Sequence, residues 1–211
     1  MKIRKILAFL FGTFLIILLL GTYISFKGNP VTQLIATNKM KDYTKKHYPD
    51  LVYKFDGTTY NFKDGNYYLH IDVLNSMDQD FSICYDEGNV SDDRVLRVEE
   101  KENLSNRIQV ELNDEKYEQP AKKIFNEKFD WMVLTLPDEE VRSLENDTSI
   151  QQVFHEKKLE LIIYLKDVKN LDNDLLEKYR NQLIKEYQDE GINLQLIELN
   201  YGAVNKQFIL R

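Results

Sequence analysis

The N-terminal part of the chain contains an apolar segment, Ile6 to Phe26, that has no charged residue in 21 positions. As a helix rising about 1.5 Å per residue it would be about 31 Å long, which matches a hydrocarbon core of about 30 Å. A cleaved signal peptide has a shorter apolar region and a small-x-small cleavage site, which this stretch lacks. We therefore expect an uncleaved transmembrane anchor.

Basic residues flank the segment unequally. Lys2, Arg4 and Lys5 precede it, and only Lys27 follows it closely. Because cytoplasmic flanks are enriched in Lys and Arg, we expect a cytoplasmic N-terminus and an extracellular C-terminal part in the cell membrane. Residues 1–27 are thus predicted to be a cytoplasmic tip and a single-pass signal anchor.

A helix is predicted directly after the anchor. Gly28 breaks the apolar run, Asn29 can cap a helix, and Pro30 suits a first helical position. Apolar residues then recur at helical spacing up to Pro49. They are Val31, Leu34, Ile35 and Tyr43.

Alternating patterns follow and predict an antiparallel sheet. Tyr67, Leu69, Ile71 and Val73 share one face of a strand, and Phe81, Ile83 and Tyr85 share one face of another. Asp64-Gly65 is a hairpin turn signal, and Asp56-Gly57 predicts a second turn. Residues 28–115 are therefore interpreted as an N-terminal α+β module, a helix packed on an antiparallel sheet.

The rest of the chain predicts a second module. Residues 91–127 indicate helix with a break, since Pro120 can only start or kink one. The stretches 129–136, 159–165 and 194–199 indicate strands, with helices after Pro137 and over Asp172–Glu190. Residues 116–211 are predicted to be a βαβαβ-like sandwich, so the fold class is α+β with two small modules after a transmembrane helix.

Composition limits the possible partners. The chain is 43% hydrophobic and 30% charged, which excludes a disordered or wholly membrane-embedded protein. After residue 27 there are 24 basic and 35 acidic groups, a net charge of −11. An acidic surface repels phosphates, so nucleic acid is not expected as a partner. Lipid contact is expected only through Ile6 to Phe26.

Candidate chemistry is sparse, and we assign no catalytic, cofactor or metal residue. His70 and Asp72 share a strand face and could form a general base, but a solvent-facing strand carries the same pattern. The three histidines, His47, His70 and His155, follow no zinc spacing, and the lone Cys84 favours packing over a nucleophile.

Two acidic groups leave cation binding open. Asp86-Glu87 with Asp92-Asp93 form one, and the other comprises Asp167, Asn170, Asp172 and Asp174. Neither has EF-hand spacing, and the second precedes a helix, where Asp and Asn act as caps.

The sequence favours a non-enzymatic binding or interaction module of the cell envelope, acting on another protein or a wall component. The candidate partner-binding aromatics are Tyr60, Phe62, Tyr67 and Tyr68. Two alternatives remain: a regulatory or inhibitory module acting on an envelope peptidase, and an enzyme whose site is assembled between the modules.

One resemblance adds to this interpretation. Residues 28–71 resemble the start of the soluble part of YfjL-like proteins, which are small membrane-anchored proteins of Gram-positive bacteria. The resemblance rests on Gly28-Asn29-Pro30, Tyr48-Pro49 and Tyr60-Asn61-Phe62-Lys63, and extends over about the first two-thirds of the chain. It implies a bacterial envelope location and two soluble modules. The family has no established activity, so it supplies no catalytic residue.

Overall fold

The chain divides into two units, residues 1–97 and 98–211. This computed structural model describes residues 2–166, 172–201 and 204–210. It confirms the predicted α+β class, with a long apolar N-terminal helix and two four-stranded sheets. The division lies N-terminal to the predicted position near residue 115, because the helix over residues 102–112 contributes Leu104, Ile108 and Leu112 to the core of the second unit.

The described part of the first unit contains two α-helices and one four-stranded sheet. The helices are α1, Lys2–Lys27, and α2, Pro30–His47. The strands are β1, Tyr53–Asn61, β2, Asn66–Val73, β3, Phe81–Asp86, and β4, Asn89–Asp92. The sheet order is β1-β2-β3-β4, and each neighbouring pair is antiparallel. Among the described residues, α1 is the helix whose apolar part is long enough to cross a membrane, and none of its most apolar stretch is buried in the protein.

Helix α2 packs against the sheet through a face that the apolar spacing does not indicate. Its buried residues are Ala36, Met40 and Thr44, which lie over the inner-face residues of β2 and β3. The apolar side chains of Val31, Leu34 and Ile35 are exposed instead. The amphipathic pattern of the first turns of α2 therefore points away from the core of this unit.

The prediction of a turn at Asp56-Gly57 is wrong. Strand β1 runs through both residues, and the register of β1 with β2 shifts between Phe55 and Thr58, which is a β-bulge. Gly57 has a φ of 84°, a value that glycine adopts without steric cost. An Asp-Gly pair can adopt the positive φ that both a turn and a β-bulge require. Here the pairing of β1 with β2 on both sides of the pair makes it a bulge. The predicted hairpin at Asp64-Gly65 is confirmed between β1 and β2.

The second unit contains five α-helices and a mixed sheet in the described residues. The helices are α3, Glu102–Leu112, α4, Gln119–Phe125, α5, Asp138–Arg142, α6, Ile150–Glu156, and α7, Asn173–Asp189. The strands are β5, Phe129–Thr135, β6, Leu159–Leu165, β7, Leu194–Tyr201, and β8, Val204–Ile209. Their order is β5-β6-β7-β8, and among these described strands only the β6–β7 pair, which α7 connects, is parallel.

One hydrophobic core holds the second unit together, on one face of its sheet. Each of the five α-helices contributes buried residues to it, such as Ile108 from α3 and Tyr187 from α7. The sheet contributes alternate residues of its strands. Ile163 of β6, for example, is in register with Leu199 of β7, and both side chains belong to this core. The helices therefore cover one face of the sheet and leave the side chains of the other face outside this core.

Two local signals explain helix starts in the second unit. Asp172 caps α7, since its carboxylate accepts a hydrogen bond from the backbone N–H of Leu175 at 2.7 Å. Ser149 and Gln152 form a capping box at α6, a helix that the sequence analysis did not predict. Asp167 and Asn170, two members of the second acidic group, lie outside the described residues.

Candidate functional site

The junction between α1 and α2 is very short. Only Gly28 and Asn29 separate the two helices, and the N–H of Gly28 still bonds to the carbonyl oxygen of Ile24 at 2.8 Å. The side chain of Asn29 accepts from the N–H groups of Val31 and Thr32, so the predicted cap of α2 is confirmed. The apolar helix therefore enters the folded unit without a flexible linker.

Tyr67 holds this junction against the sheet. Its side chain is only 4% exposed, and its hydroxyl accepts from the N–H of Asn29 at 2.8 Å and donates to the carbonyl oxygen of Asn29 at 3.1 Å. Gly28 has a φ of 77°, and a Cβ atom there would lie 2.7 Å from Cγ of Tyr60. Glycine is required at this position for its backbone angle and for the space that the two tyrosines leave.

The four predicted partner-binding aromatics do not share one surface. Tyr60 and Tyr67 pack with ring centroids 5.0 Å apart beside Gly28. Phe62 is 54% exposed, and its ring centroid lies 5.4 Å from that of Phe26 at the end of α1. Tyr68 faces the opposite side of β2 from Tyr67, and its hydroxyl donates to Asp64 at 2.8 Å.

Asp92, in the first of the two acidic groups, accepts hydrogen bonds from two tyrosines. The hydroxyls of Tyr43 and Tyr48 both donate to Oδ2 of Asp92, at 2.7 and 2.8 Å. Burial and these hydrogen bonds raise the pKa of Tyr43 to about 12, and the pKa of Tyr48 is raised for the same reasons. The carboxylate thus connects α2 and the residue after it to the end of β4.

His70 and Asp72 lie together on the outer face of β2, as the alternation predicts. Nε2 of His70 is 3.2 Å from Oδ1 of Asp72, and the ammonium of Lys54 is 2.8 Å from Oδ2. Asp80, which sequence reasoning did not include, brings a third ligand atom within 4.8 Å of the other two. An imidazole with two carboxylates suits a borderline divalent ion such as Zn²⁺, but that ion would compete with Lys54 for Asp72.

Cys84 lies on β3 and is half-buried. Desolvation is the main cause that raises the pKa of its thiol. A raised pKa lowers the thiolate population at neutral pH, and the thiolate is the nucleophilic form. This environment favours the packing role that the sequence predicts.

The outer face of the second sheet carries an aromatic pair. Trp131 of β5 lies opposite Tyr164 of β6, and their rings stack at 3.9 Å with an interplanar angle of 6°. Trp131 is 46% exposed although it is the largest side chain of the strand. Val133 and Ile162 form the next pair on this face. The sequence predicts both strands but not the aromatic pair, because strand register is needed to place the two rings together.

Amide side chains continue the same cross-strand row. Asn200 of β7 is in register with Tyr164, and Asn205 of β8 is in register with Asn200. Both amides and that of Gln207 donate to the carboxylate of Glu198, at 2.8 to 2.9 Å. These bonds lower the pKa of Glu198, so the carboxylate stays ionised and holds the three amides in place.

A cleft of about 570 Å³ opens elsewhere in the second unit, between α7 and the strand ends. Its basic side chains include His155, Lys158 and Arg180. Arg180 also binds Glu177 at 2.8 Å, which offsets its charge. In the row around Glu198, by contrast, three amide side chains bond to one carboxylate. The polar groups of this row are therefore held in more fixed positions than those that line the cleft.

Comparison with known proteins identifies one similarity. Residues 3–94 match the family described as YfjL-like, N-terminal domain, a match that covers α2 and the sheet of the first unit together with nearly all of α1. The match confirms the predicted resemblance over residues 3–94, but it ends before two-thirds of the chain, the extent predicted from the sequence, and residues 95–211 lie outside it. No curated protein and no solved structure matches the chain.

Proposed function

We propose that the chain is an uncleaved, single-pass membrane protein of the envelope of Gram-positive bacteria, with residues 28–211 outside the cell. Three features support the proposal: the length and apolar composition of α1, the exposure of its most apolar stretch, and the basic residues before it. The junction at Gly28 and Asn29 would then hold the first unit at the membrane surface.

The proposed activity is binding without catalysis. Asp72 forms an ion pair with Lys54 on the sheet surface and lies beside His70, and the thiol of Cys84 is disfavoured as a nucleophile by its raised pKa. These were the residues for which catalysis could be considered from the sequence. Their environments favour structural roles over acid–base or covalent chemistry.

The binding surface proposed is the outer face of the second sheet, and the partner is a glycan of the cell wall. The observation that carries this is the stack of exposed Trp131 on half-buried Tyr164, in a cross-strand row with half-buried Asn200 and exposed Asn205. The electron-rich face of an aromatic ring attracts the weakly positive C–H groups of a sugar ring. Amide and carboxylate groups fixed beside it can accept hydrogen bonds from sugar hydroxyls.

Sedimentation with purified cell-wall glycan tests this proposal. The full chain, reconstituted in lipid nanodiscs, is expected to sediment with the glycan. Replacing Trp131 by Ala should weaken this binding by about tenfold or more, because a central Trp often contributes over about 1.4 kcal/mol to an interface. Tyr68→Ala is the matched control, since it removes an aromatic ring from the first unit.

Three results would contradict the proposed binding surface, the proposed partner or the proposed anchoring. Equal binding by the wild type, Trp131→Ala and Tyr68→Ala would overturn the assignment of this face. A wild-type chain that does not sediment with glycan would overturn the choice of partner. A chain that is released from membranes by salt, or that is found cleaved after the apolar segment, would overturn the anchoring itself.

A further inference from the structure

The first turns of α2 expose apolar side chains to the surroundings. Val31 is 65% exposed, Leu34 is 63% exposed, and Ile35 is also exposed. Positions i, i+3 and i+4 lie on one face of a helix, so these three side chains are neighbours. The buried residues Ala36 and Met40 lie on the face of α2 that meets the sheet.

This face begins next to the end of the apolar helix. Val31 is four residues and Leu34 is seven residues after Lys27, which at a helical rise of about 1.5 Å per residue is about 6 Å and about 10 Å. The polar layer on each side of a bilayer core is about 5–8 Å thick. If α1 spans the membrane, Val31 lies within this layer, and Leu34 lies at its outer edge when α2 continues in the direction of α1 and deeper when α2 tilts toward the membrane.

A hairpin tip reaches the same level from the sheet. The ring of exposed Phe62 lies against that of Phe26, with centroids 5.4 Å apart. Lys63 follows it and is exposed, and Lys27 ends α1. Aromatic rings and lysine side chains are the groups that favour the boundary between lipid tails and headgroups.

We propose that Val31, Leu34, Ile35 and Phe62 form a membrane collar, an apolar surface that inserts into the outer headgroup layer around the end of α1. The occupant is lipid, because the collar is continuous with the proposed span and only Gly28 and Asn29 lie between them. A recess of about 510 Å³ lined by Tyr23, Phe26 and Lys27 adjoins it, and Lys27 there can approach a lipid phosphate. This inference rests on the proposed anchoring.

Tryptophan quenching by lipid tests the collar. Trp131, the single native Trp, is replaced by Phe, and one Trp is introduced by Leu34→Trp or Phe62→Trp. The full chain is placed in vesicles whose lipids carry bromine near the headgroup end of the acyl chains. Both collar variants are expected to show quenching at least about threefold stronger than a Trp away from the lipid, because interfacial side chains enter the acyl boundary.

Leu74→Trp in the same background is the matched control. Leu74 is exposed and follows the far end of β2, which begins beside the hairpin of Phe62 and is eight residues long, or about 25 Å. Equal quenching at positions 34, 62 and 74 would overturn the collar. Vesicle flotation of the same samples separates this result from a failure of anchoring, in which the protein would not float at all.

Discussion

The hydroxyl of Tyr67 bonds to both backbone groups of Asn29, accepting from its N–H and donating to its carbonyl oxygen. This pair joins β2 to the two-residue junction between α1 and α2. A single side chain therefore couples the end of the apolar helix to the first sheet.

Tyr67→Phe should destabilise the first unit by about 1–3 kcal/mol, because two backbone groups lose their partner while the ring remains. Amide hydrogen exchange of the full chain in detergent measures the free energy of unfolding of each unit separately. Tyr68→Phe is the control, since its hydroxyl bonds to exposed Asp64. Similar exchange rates in the two variants would contradict a special role for Tyr67.

Gly28→Ala should be more harmful than Gly57→Ala. Both glycines have positive φ, at 77° and 84°, so each substitution costs about 1–2 kcal/mol for the backbone. At Gly28 the new Cβ also lies 3.0 Å or less from atoms of Tyr60 and Tyr67, whereas nothing lies within 4 Å at Gly57. The difference in the free energy of unfolding between the variants isolates this contact, and equal values would refute it.

The stability of the first unit should fall at high pH. The folded-state pKa of Tyr43 is raised from 10.0 to about 12, so its neutral form is stabilised by folding. This contribution is complete below pH 10 and is lost as the pH rises through about 12.

Titration of phenolate absorbance measures the raised pKa values of Tyr43 and Tyr48 from which this loss of stability follows. Asp92→Asn should let Tyr43 and Tyr48 ionise at lower pH, because it removes the negative charge beside both hydroxyls. Asp86→Asn removes an exposed charge from the same sheet and should leave the titration unchanged. Identical curves for both variants would argue against the network.

Cys84 should react slowly with thiol reagents at neutral pH. Burial raises the pKa of the thiol, and alkylation proceeds through the thiolate. The rate per molecule should be below that of free cysteine and should rise as the pH increases past 9.0, the usual thiol value. A rate above that of free cysteine at pH 7 would reopen the nucleophile hypothesis.

Much of the local structure could be predicted from the sequence. The alternation in β2 places Tyr67, Leu69 and Ile71 on the buried face, since a strand has a period of two. The cap at Asn29 and the hairpin at Asp64-Gly65 also depend on neighbouring residues only. Such features follow from backbone sterics and short-range hydrogen bonds.

The sequence by itself determined the apolar helix, the two α+β modules and the faces of the strands, because these depend on periodicity and turn chemistry. Only the tertiary structure decided which residues meet across strands and helices. It placed Tyr67 on Asn29, made Asp56-Gly57 a bulge, and stacked Trp131 on Tyr164. Those relationships depend on register and packing between distant segments, which no local pattern encodes.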